Sequence, residues 1–383
     1  MRIFVLGIGA TGSRLVTLLQ RQGHQVSCGD RDPVRARRFL GESSTLSVVP
    51  VNARDVWSIV RAARGSHVLV NCCPAVFNKI IMRAALRLRC HYLDTAAHLT
   101  GHPFRAEQLS FDDRFRLKRR LALVTAGVAP GLTNLLIAAA ADQLDQVDDV
   151  QVRLYEQTDS DDPVSQWSAE ESFDEATSAP RVYRRGTFAL APRFGDRESF
   201  RFPRPIGTVA VMLAAQDEVV TVPHFIALQS MDAKIGGPDM DQLRRWYRQG
   251  KLRKSRGLVE ARFPRTPTPG TVKRLVAYGV LHNARFAAAV IVHGIRASRR
   301  THIRYDVVVP SLALLRRRGI HSTPIAWSTA HMTALFIKHL PNRLSGAFPP
   351  EALPPATRRA ILTDARRIGL RVTQRKARPT SGR

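Results

Sequence analysis

Three glycines near the N-terminus have the spacing of a phosphate-binding turn. The segment GIGATG at 7–12 follows a short apolar run at 2–6, and apolar residues then recur with helical spacing over 13–19. Strand, glycine turn and helix in this order form the phosphate-binding opening of a dinucleotide fold, where the helix N-terminus offers unpaired N–H groups to a pyrophosphate. We therefore predict cofactor contacts at Gly7, Gly9, Ala10, Thr11 and Gly12.

The second strand of this pattern ends in an acidic residue. The strand candidate covers 25–30, and Asp30 lies about twenty residues beyond the glycines, where an acid accepts the ribose hydroxyls of NAD and repels a 2′-phosphate. Arg31 follows directly and would favour that phosphate. We predict NAD as the cofactor, with NADP as the alternative. In another interpretation, Asp30 only begins the turn 30–33 and caps the helix after it.

Polar side chains follow a further apolar strand candidate at 67–71. This strand ends in Asn71, and Pro74, Phe77 and Asn78 come shortly after it. Because the carboxyl ends of parallel strands face the bound cofactor in a doubly wound sheet, we expect Asn71 and Pro74 to contact the nicotinamide. Phe77 and Asn78 are then predicted to contact the substrate. Alternatively, the two asparagines only satisfy backbone groups of a loop.

The next short strand, 91–94, carries the residues predicted for proton transfer. Tyr92 is expected to contact the substrate, and Asp94 is expected to bind its amine or to act as a base. His98 follows at the same edge of the sheet, and histidine is a common proton-transfer residue. The alternatives are that Asp94 caps a helix and that His98 is a surface residue.

A sharp turn at 127–131 precedes an Ala/Leu-rich helix candidate that begins at Thr133. Gly127, Pro130 and Gly131 shape this turn, and its amides could hold a carboxylate or position the nicotinamide. We therefore include these three residues among the predicted cofactor contacts. A turn that served only the fold would have the same sequence.

The pattern of strands predicts an α/β protein with two domains. Strands and helices alternate to about residue 126, which predicts a Rossmann domain with a doubly wound parallel sheet. Strand-like segments separated by long polar connections follow, which predicts a second α+β domain with a mixed sheet. The predicted boundaries are 1–126 for the cofactor domain, 127–325 for the substrate and dimerisation domain, 326–373 for a helical segment packing back near the cofactor domain, and 374–383 for a disordered basic tail.

The composition is that of a soluble protein with an unusual charge. Hydrophobic residues make up 44% of the 383 residues, and no apolar run approaches the ~20 residues of a membrane helix. The apolar start contains the glycine pattern and has no small-residue cleavage site after it, so we expect a cytoplasmic protein. The net charge is +28, and the densest basic run, 244–256, includes two aromatic residues. Nucleic-acid binding there is the less favoured interpretation, because arginines are spread over the whole chain.

The four cysteines do not indicate a metal site. They lie at positions 28, 72, 73 and 90 without CxxC spacing, and no histidine-rich segment accompanies them, so we predict no metal. Cys72 and Cys73 fall beside the expected cofactor edge, where a thiol could touch the substrate. Small apolar filler is the favoured interpretation of both.

An acidic stretch contrasts with the basic background. Eight acidic residues and no Lys or Arg lie between Glu156 and Glu175. Such a segment could recognise a diamine or the side chain of lysine. It could equally be a solvated loop, or it could pair with arginines across a dimer interface.

Several of these segments together resemble the saccharopine dehydrogenase family, especially its lysine 6-dehydrogenase and saccharopine-reductase-like branch. The specific segments are GIGATG (7–12), VLVNCCPAVFN (68–78), HYLDTAAH (91–98) and GVAPGLTNLL (127–136). The looser ones are WSAEESFDE (167–175), FPRPIG (202–207), DAKIGG (232–237) and FPPEAL (348–353). The resemblance covers most of the chain.

The resemblance implies a nicotinamide enzyme acting on a carbon–nitrogen bond of an amino acid. It adds Trp167, Ser168, Glu170 and Lys234 as expected substrate contacts, although Lys234 could also be a plain surface lysine. It also suggests a homodimer. The most concrete expectation is oxidative deamination of L-lysine at its ε-carbon. The alternatives are reductive condensation of an amine with a keto acid or semialdehyde, and a non-catalytic nucleotide-binding or nucleic-acid-associated protein.

Overall fold

The computed structural model describes residues 1–41, 44–99, 101–252, 254–255, 258–259, 264–341 and 343–376. Its first elements are β1 (Arg2–Leu6), α1 (Ala10–Arg21), β2 (Gln25–Asp30), α2 (Pro33–Leu40), β3 (Val48–Pro50), α3 (Val56–Ala62), β4 (Val68–Asn71), α4 (Asn78–Leu88), β5 (His91–Asp94), α5 (Asp112–Leu117), β6 (Leu121–Leu123) and α6 (Leu132–Ala141). The spacing of apolar residues over 106–120 predicts one helix, whereas the structure has a 3₁₀ helix, Glu107–Phe111, followed by the short α5.

The remaining elements follow a long strand that begins at Gln146. They are β7 (Gln146–Ser160), α7 (Ala169–Thr177), β8 (Arg181–Arg184), β9 (Thr187–Leu190), β10 (Glu198–Arg201), β11 (Thr208–Leu213), β12 (Ser230–Gly236), α8 (Pro238–Arg248), β13 (Lys254–Ser255), β14 (Leu258–Val259), α9 (Pro269–Ala277), β15 (Leu281–Arg296), β16 (Arg299–Val308), α10 (Leu312–Arg317), α11 (Pro324–Lys338), β17 (Gly346–Phe348), α12 (Pro355–Arg367) and β18 (Arg371–Lys376).

The first sheet is parallel throughout and has the order β17-β6-β5-β4-β1-β2-β3. Its central strands are nearly free of polar residues, and Ile3 to Leu6 of β1 are at most 1% exposed, as expected for strands covered on both faces. Asp32 and Asp55 start α2 and α3 by accepting backbone N–H groups of the first helical turn. The predicted Rossmann sheet is confirmed.

The C-terminal part of the chain returns to this sheet. Strand β17 pairs with β6 and becomes the edge strand, and α11 packs along α1. The end of the chain then moves to the second sheet, where β18 pairs with β16. The prediction of a disordered tail from residue 374 is therefore wrong for 374–376, which continue β18 because their backbone pairs with β16. Residues 377–383 lie outside the described part of the chain.

The second sheet is mixed, as predicted. Its main path is β10-β11-β12-β7-β15-β16-β18, with β8 and β9 attached beside β12. Only the β12–β7 pair of this sheet is parallel among the described pairings. The apolar helix α6 runs between the two sheets and contacts β15 and β7. One continuous core therefore extends from the first sheet to the second.

Buried polar contacts fix α6 between the two parts of the fold. The Thr133 hydroxyl donates to Glu218 Oε1 at 2.6 Å, and Asn134 Nδ2 donates to Glu351 Oε2 at 3.0 Å. Glu218 follows β11 in the second sheet, whereas Glu351 follows β17 in the first sheet. Since α6 begins at the 127–131 turn, these contacts hold that turn at the junction. No helix in the described ranges is long and apolar enough to cross a membrane.

Candidate active site

The glycine turn is built to admit a pyrophosphate. A Cβ on Gly7 would lie 2.7 Å from the backbone of Cys72, and one on Gly12 would lie 2.0 Å from the Gly7 carbonyl oxygen. Gly9 is different, because a Cβ there would meet no atom within 4 Å. Gly9 is also the N-cap of α1, whose first turn has no acidic residue and no side-chain cap. The helix therefore presents open amides and partial positive charge, and these residues fit the diphosphate of a dinucleotide.

Asp30 stands at the end of β2 beside this turn. Its Oδ2 accepts the Ile8 backbone N–H at 2.7 Å, and its Oδ1 accepts the Asp32 N–H at 3.0 Å. Each carboxylate oxygen can accept a second hydrogen bond, so these contacts orient Asp30 without excluding ribose hydroxyls. Asp30 therefore does not merely begin the following turn; Asp32 caps α2 instead. Arg31 is exposed directly after it.

Polar residues that follow β4 and β5 form a buried network behind the sheet edge. Asn71 Nδ2 donates to Asn78 Oδ1 at 2.7 Å and to the Tyr92 hydroxyl at 3.2 Å, and Asn71 Oδ1 accepts the Cys73 N–H. Asn78 Nδ2 donates to the Ala96 carbonyl at 2.9 Å. All three polar side chains are at most 1% exposed. In the structure these three side chains hold two loops together, and their predicted contacts with ligand stay predictions.

Asp94 belongs to the same network. Its Oδ1 accepts the Thr125 N–H at 2.7 Å, and its Oδ2 accepts from Gln108 Nε2 at 3.1 Å. The Tyr92 hydroxyl also donates to it. Burial raises the pKa of Asp94 to about 7, against the opposing effect of these donors. Asp94 is 1% exposed and does not line the cleft, so the prediction that it contacts the amine is not supported; it positions the strand ends.

A cleft of about 430 Å³ opens in front of these strand ends, between the two sheets. The wall on the side of the first sheet includes the predicted residues Thr11, Pro74, His98 and Pro130, together with Cys72 and Cys73. The facing wall includes the predicted residues Trp167 and Ser168. The structure therefore brings six of the predicted residues to one cavity.

The facing wall is strongly acidic because of one helix. Ser168 caps α7, and Glu171, Asp174 and Glu175 follow at helical spacing on the face that lines the cleft. Glu171 Oε1 accepts the Ala75 N–H at 2.8 Å, which ties α7 to the loop after β4. The predicted contact Glu170 is instead exposed, and it accepts from the Ser168 hydroxyl. The acidic stretch therefore lines the cleft, but it does so through Glu171, which is the neighbour of the predicted residue Glu170.

Two further carboxyls complete the acidic wall. Glu156 comes from β7 and accepts from Trp167 Nε1 at 3.4 Å, and Asp217 follows β11 and accepts the Ala97 N–H at 2.7 Å. Removal from water, together with the neighbouring carboxylates, raises the pKa of each of these two groups to about 8. The pKa of Glu175 is also well above its usual value, first because of burial and then because of Glu156. The cleft therefore holds protons at neutral pH or requires a bound cation.

Arg181 is the one Lys or Arg among the described residues that line the cleft. It begins β8, and its Nε donates to the Pro103 carbonyl at 2.9 Å. Burial lowers the pKa of Arg181, whereas Asp217 opposes this shift. The cleft thus combines several carboxyls with one guanidinium.

Two predicted substrate contacts lie elsewhere. Phe77 packs in the apolar cluster behind the first sheet, with the Arg54 guanidinium 6.0 Å from its ring centre. Lys234 of β12 is 2% exposed and pairs with Asp196 and Glu198 at 3.2 and 3.0 Å. Lys234 is in register with Arg153, whose neighbour Leu154 lines the cleft, so Lys234 lies on the opposite face of the sheet. The structure uses these side chains in packing and in ion pairs, and neither lines the cleft; their contacts with substrate stay predictions.

The 127–131 turn contributes its middle residues to the cleft. Val128, Ala129 and Pro130 line it. Gly131 has φ +128°, and a Cβ there would lie 2.1 Å from the Gly127 carbonyl oxygen. The two predicted glycines therefore shape the turn, while Pro130 faces the cavity.

Sequence reasoning missed Arg181, Asp217 and Gln108. Gln108 comes from the 3₁₀ helix before α5, Arg181 begins β8, and Asp217 lies in the connection after β11. Each is a single polar residue without a local motif, so only the fold brings it to the site. In the described ranges, no group of three or more His, Cys, Asp or Glu side chains could hold a metal ion. Burial raises the pKa of the Cys72 thiol to about 12, which disfavours a reactive thiolate.

Comparison with known proteins identifies the first sheet and its turn. Residues 3–123 match the family model of the saccharopine dehydrogenase NADP binding domain. The chain carries the cofactor domain of the saccharopine dehydrogenase family. The resemblance stated from the sequence is thereby confirmed for residues 3–123.

Solved structures support the same fold. Saccharopine dehydrogenase (L-Glu forming) from Saccharomyces cerevisiae matches with a TM-score of 0.70 at 10% identity, covering 98% of this chain and 100% of that chain. A mutant meso-dapdh from Clostridium tetani E88 matches with a TM-score of 0.44 at 11% identity, covering 93% and 95%. The first match shows a shared fold, whereas the TM-score of the second is too low to show one.

The match shows a dinucleotide-binding domain of the saccharopine dehydrogenase type at residues 3–123. The prediction of a nicotinamide cofactor, NAD or NADP, is thereby confirmed. Part of the basic run at 244–256 forms the end of α8, and residues 253 and 256 lie outside the described ranges.

The open amides of α1 give a direct test of the cofactor site. We expect Gly9→Asp to weaken NADH binding at least tenfold, since a carboxylate would face the pyrophosphate. Asp is a good N-cap, so the substitution should not weaken α1 itself. The measurement is the enhancement of NADH fluorescence on titration with protein.

The matched control is Gly270→Asp, which places the same carboxylate in the first turn of α9, where a Cβ also meets no atom within 4 Å. It should bind NADH like the unchanged protein. Equal affinity in Gly9→Asp and the control would contradict the proposed place of the pyrophosphate.

Proposed function

We propose that the protein catalyses NAD-dependent oxidative deamination of L-lysine at its ε-carbon. The observation that carries the proposal is the make-up of the cleft, in which several carboxyls face one guanidinium beside the cofactor edge. A substrate with two amino groups and one carboxylate complements this arrangement. A dicarboxylate substrate would meet strong repulsion from the acidic wall.

Arg181 is the proposed partner of the substrate carboxylate. Its Nε is fixed by the Pro103 carbonyl, and the remaining guanidinium N–H groups are the donors for the carboxylate. The acidic face of α7 then lies opposite the positive charge of the amines. Glu171 and Asp217 each also accept a backbone N–H from a loop of the first sheet. The same two carboxyls would therefore bind the substrate amines and fix the loops at the cofactor edge.

The cofactor supplies the redox chemistry. A bound nicotinamide would supply the hydride acceptor, so that the carbon bearing the amine would be oxidised to an imine and water would hydrolyse the imine to aldehyde and ammonia. The chain's part is to hold that carbon beside Pro74 and His98, which line the cleft next to the glycine turn. The resulting semialdehyde cyclises with its own α-amine to a piperideine carboxylate.

A group must also remove a proton from the substrate ammonium before oxidation. We propose Asp217 for this role, because it lines the cleft, lies against the loop that carries His98, and has a pKa of about 8. A base works best when its pKa is close to the working pH. Asp94, the base predicted from the sequence, lies behind the loop and orders it. His98 remains the second predicted residue for proton transfer.

NAD is the proposed cofactor, rather than NADP. Asp30 is oriented by two backbone N–H groups, with its remaining acceptor capacity available to ribose hydroxyls. The exposed Arg31 would instead favour the 2′-phosphate of NADP. The ratio of the affinities for NAD and NADP therefore measures whether Asp30 or Arg31 dominates. A homodimer, a cytoplasmic location and the boundaries 1–126, 127–325 and 326–373 are proposals that rest on the sequence alone.

Substitution of Arg181 tests the recognition of the carboxylate. We expect Arg181→Met to raise the KM for L-lysine about 10- to 100-fold with a smaller change in kcat, because a charge-assisted contact to the bound substrate is lost. Arg184→Met on the same strand is the control, since Arg184 is exposed and pairs with Asp196. The proposal fails if the two variants behave alike in steady-state assays at 340 nm.

The raised pKa of Asp217 predicts a pH dependence. Below about pH 8 the carboxyl keeps its proton and cannot accept another, so kcat for lysine should rise with pH and level off above about pH 9. Asp217→Asn should lower kcat about 100-fold or more. Asp174→Asn removes a charge from the same wall and should change mainly KM.

These two variants are compared in pH–rate profiles from pH 6 to 10. If Asp217→Asn keeps its full kcat and His98→Gln loses the rise of kcat with pH, the base is His98. That result would overturn this part of the proposal. If lysine is not oxidised but NAD(P)H is consumed with an amine and a keto acid, reductive condensation replaces deamination as the proposed reaction.

A further inference from the structure

A cluster of aromatic rings connects the two parts of the fold beside the cleft. Phe104 lies on the segment 101–104, between β5 and the 3₁₀ helix before α5. Its ring is stacked on the ring of Phe188 from β9, with centroids 5.4 Å apart and planes 10° from parallel. The Phe188 ring also lies 4.7 Å from the Tyr183 ring and 5.3 Å from the His224 ring. Neither the family match nor the proposed deamination assigns a role to these rings.

The register of the β8–β9 hairpin places Phe188 next to Arg181. In this antiparallel pair Phe188 lies opposite Tyr183, and Leu190 lies opposite Arg181. Because side chains two residues apart on a strand point to the same face, Arg181 and Tyr183 share a face of β8. Val182 lies between them, points to the other face and is 3% exposed. Phe188 is therefore the diagonal cross-strand neighbour of Arg181.

Two hydrogen bonds to the segment 101–104 accompany the stack. Arg181 Nε donates to the Pro103 carbonyl at 2.9 Å, and His224 Nε2 donates to the Phe104 carbonyl at 3.0 Å. The two acceptors are consecutive carbonyls on the segment that carries the Phe104 ring. The orientation of the Arg181 guanidinium therefore depends on how firmly this segment is held against the hairpin.

The hairpin has few backbone contacts with the rest of the second sheet. The described pairing of β8 with β12 is one residue pair, Tyr183 with Met231, and β9 pairs with β8 alone among the described strands. The hairpin turn adds one hydrogen bond, from the Gly186 N–H to the Gln229 carbonyl at 3.0 Å. Side-chain contacts must therefore supply much of the order at the start of β8.

We propose that Phe188 is a positioning residue for the substrate carboxylate and acts through Arg181. Its stack with Phe104 keeps the segment against the hairpin, where the Pro103 carbonyl fixes Arg181 Nε. Arg181 lines the cleft, whereas Phe188 is not among the described lining residues. An arginine that is already fixed loses less rotamer entropy when a carboxylate binds. This inference rests on the proposed role of Arg181 in binding that carboxylate.

The first test compares two amines that differ in the carboxylate. L-Lysine carries it, whereas pentane-1,5-diamine has the same two amino groups without it, and each is titrated into the full chain at saturating NADH by calorimetry. We expect Phe188→Leu to weaken L-lysine binding about fivefold or more and to leave diamine binding within about twofold, because only the carboxylate uses Arg181. Phe104→Leu, on the other side of the stack, should have the same effect.

Three further variants separate positioning from a general loss of structure. Phe188→Tyr keeps the ring and should retain the affinity for L-lysine. Phe200→Leu is the matched control, since Phe200 is also half-buried, packs on Phe202 with centroids 4.8 Å apart, and lies outside this cluster. In the Arg181→Met background, Phe188→Leu should cause no further loss, because both substitutions remove the same contact. Thermal melting of each variant checks that it is folded.

A second test reads the order of Arg181 without any substrate. Phenylglyoxal modifies accessible guanidinium groups, and the modification of Arg181 is followed by peptide mass spectrometry. We expect Arg181 to react about threefold or more faster in Phe188→Leu and Phe104→Leu, because its contact with Pro103 opens more often. The exposed Arg184 on the same strand is the internal reference and should react at an unchanged rate.

Two results would overturn the proposal. One is an unchanged reactivity of Arg181 in both leucine variants, and the other is an equal loss of affinity for L-lysine and for the diamine. Faster modification of Arg181, in a protein that does not bind L-lysine even without substitution, would instead support the positioning of Arg181 and contradict the proposed deamination.

Discussion

The interaction that governs this structure is the repulsion among carboxyls crowded into the cleft between two sheets. Glu156, Glu175 and Asp217 come from different elements of the second domain and share one poorly hydrated space. Burial and mutual repulsion raise the pKa of each. Such a site is stable either with protons on these groups or with a cation among them, and the proposed amine substrate would supply that cation.

The scaffold must hold these carboxyls against the cofactor edge, and it does so through backbone amides. Glu171 and Asp217 accept N–H groups from the loops that follow β4 and β5. Those loops are themselves ordered by the buried network of Asn71, Tyr92 and Asp94. Asn71, Tyr92 and Asp94 thus lie one layer behind the residues that line the cleft. Their buried hydrogen bonds fix the positions of those lining residues.

The glycine turn, the first sheet and the class of the second could be predicted from the sequence, because they depend on local spacing and on strand periodicity. The exact site could not. Whether Asp94 faces ligand or protein is decided by Gln108, which lies on a 3₁₀ helix where helical periodicity suggested one long helix. Arg181 and Asp217 carry no local signal. They reach the cleft only through sheet pairings between distant parts of the chain.

The central claim is that the cleft orients the ε-amine of lysine toward the cofactor. The most direct measurement is the reaction of NAD with L-lysine carrying ¹⁵N at either the α- or the ε-position, with NADH followed at 340 nm and ammonium by mass spectrometry. The account predicts one labelled ammonium per NADH from the ε-labelled substrate and none from the α-labelled substrate. Release of the α-nitrogen, or no NADH from lysine despite tight cofactor binding, would contradict it.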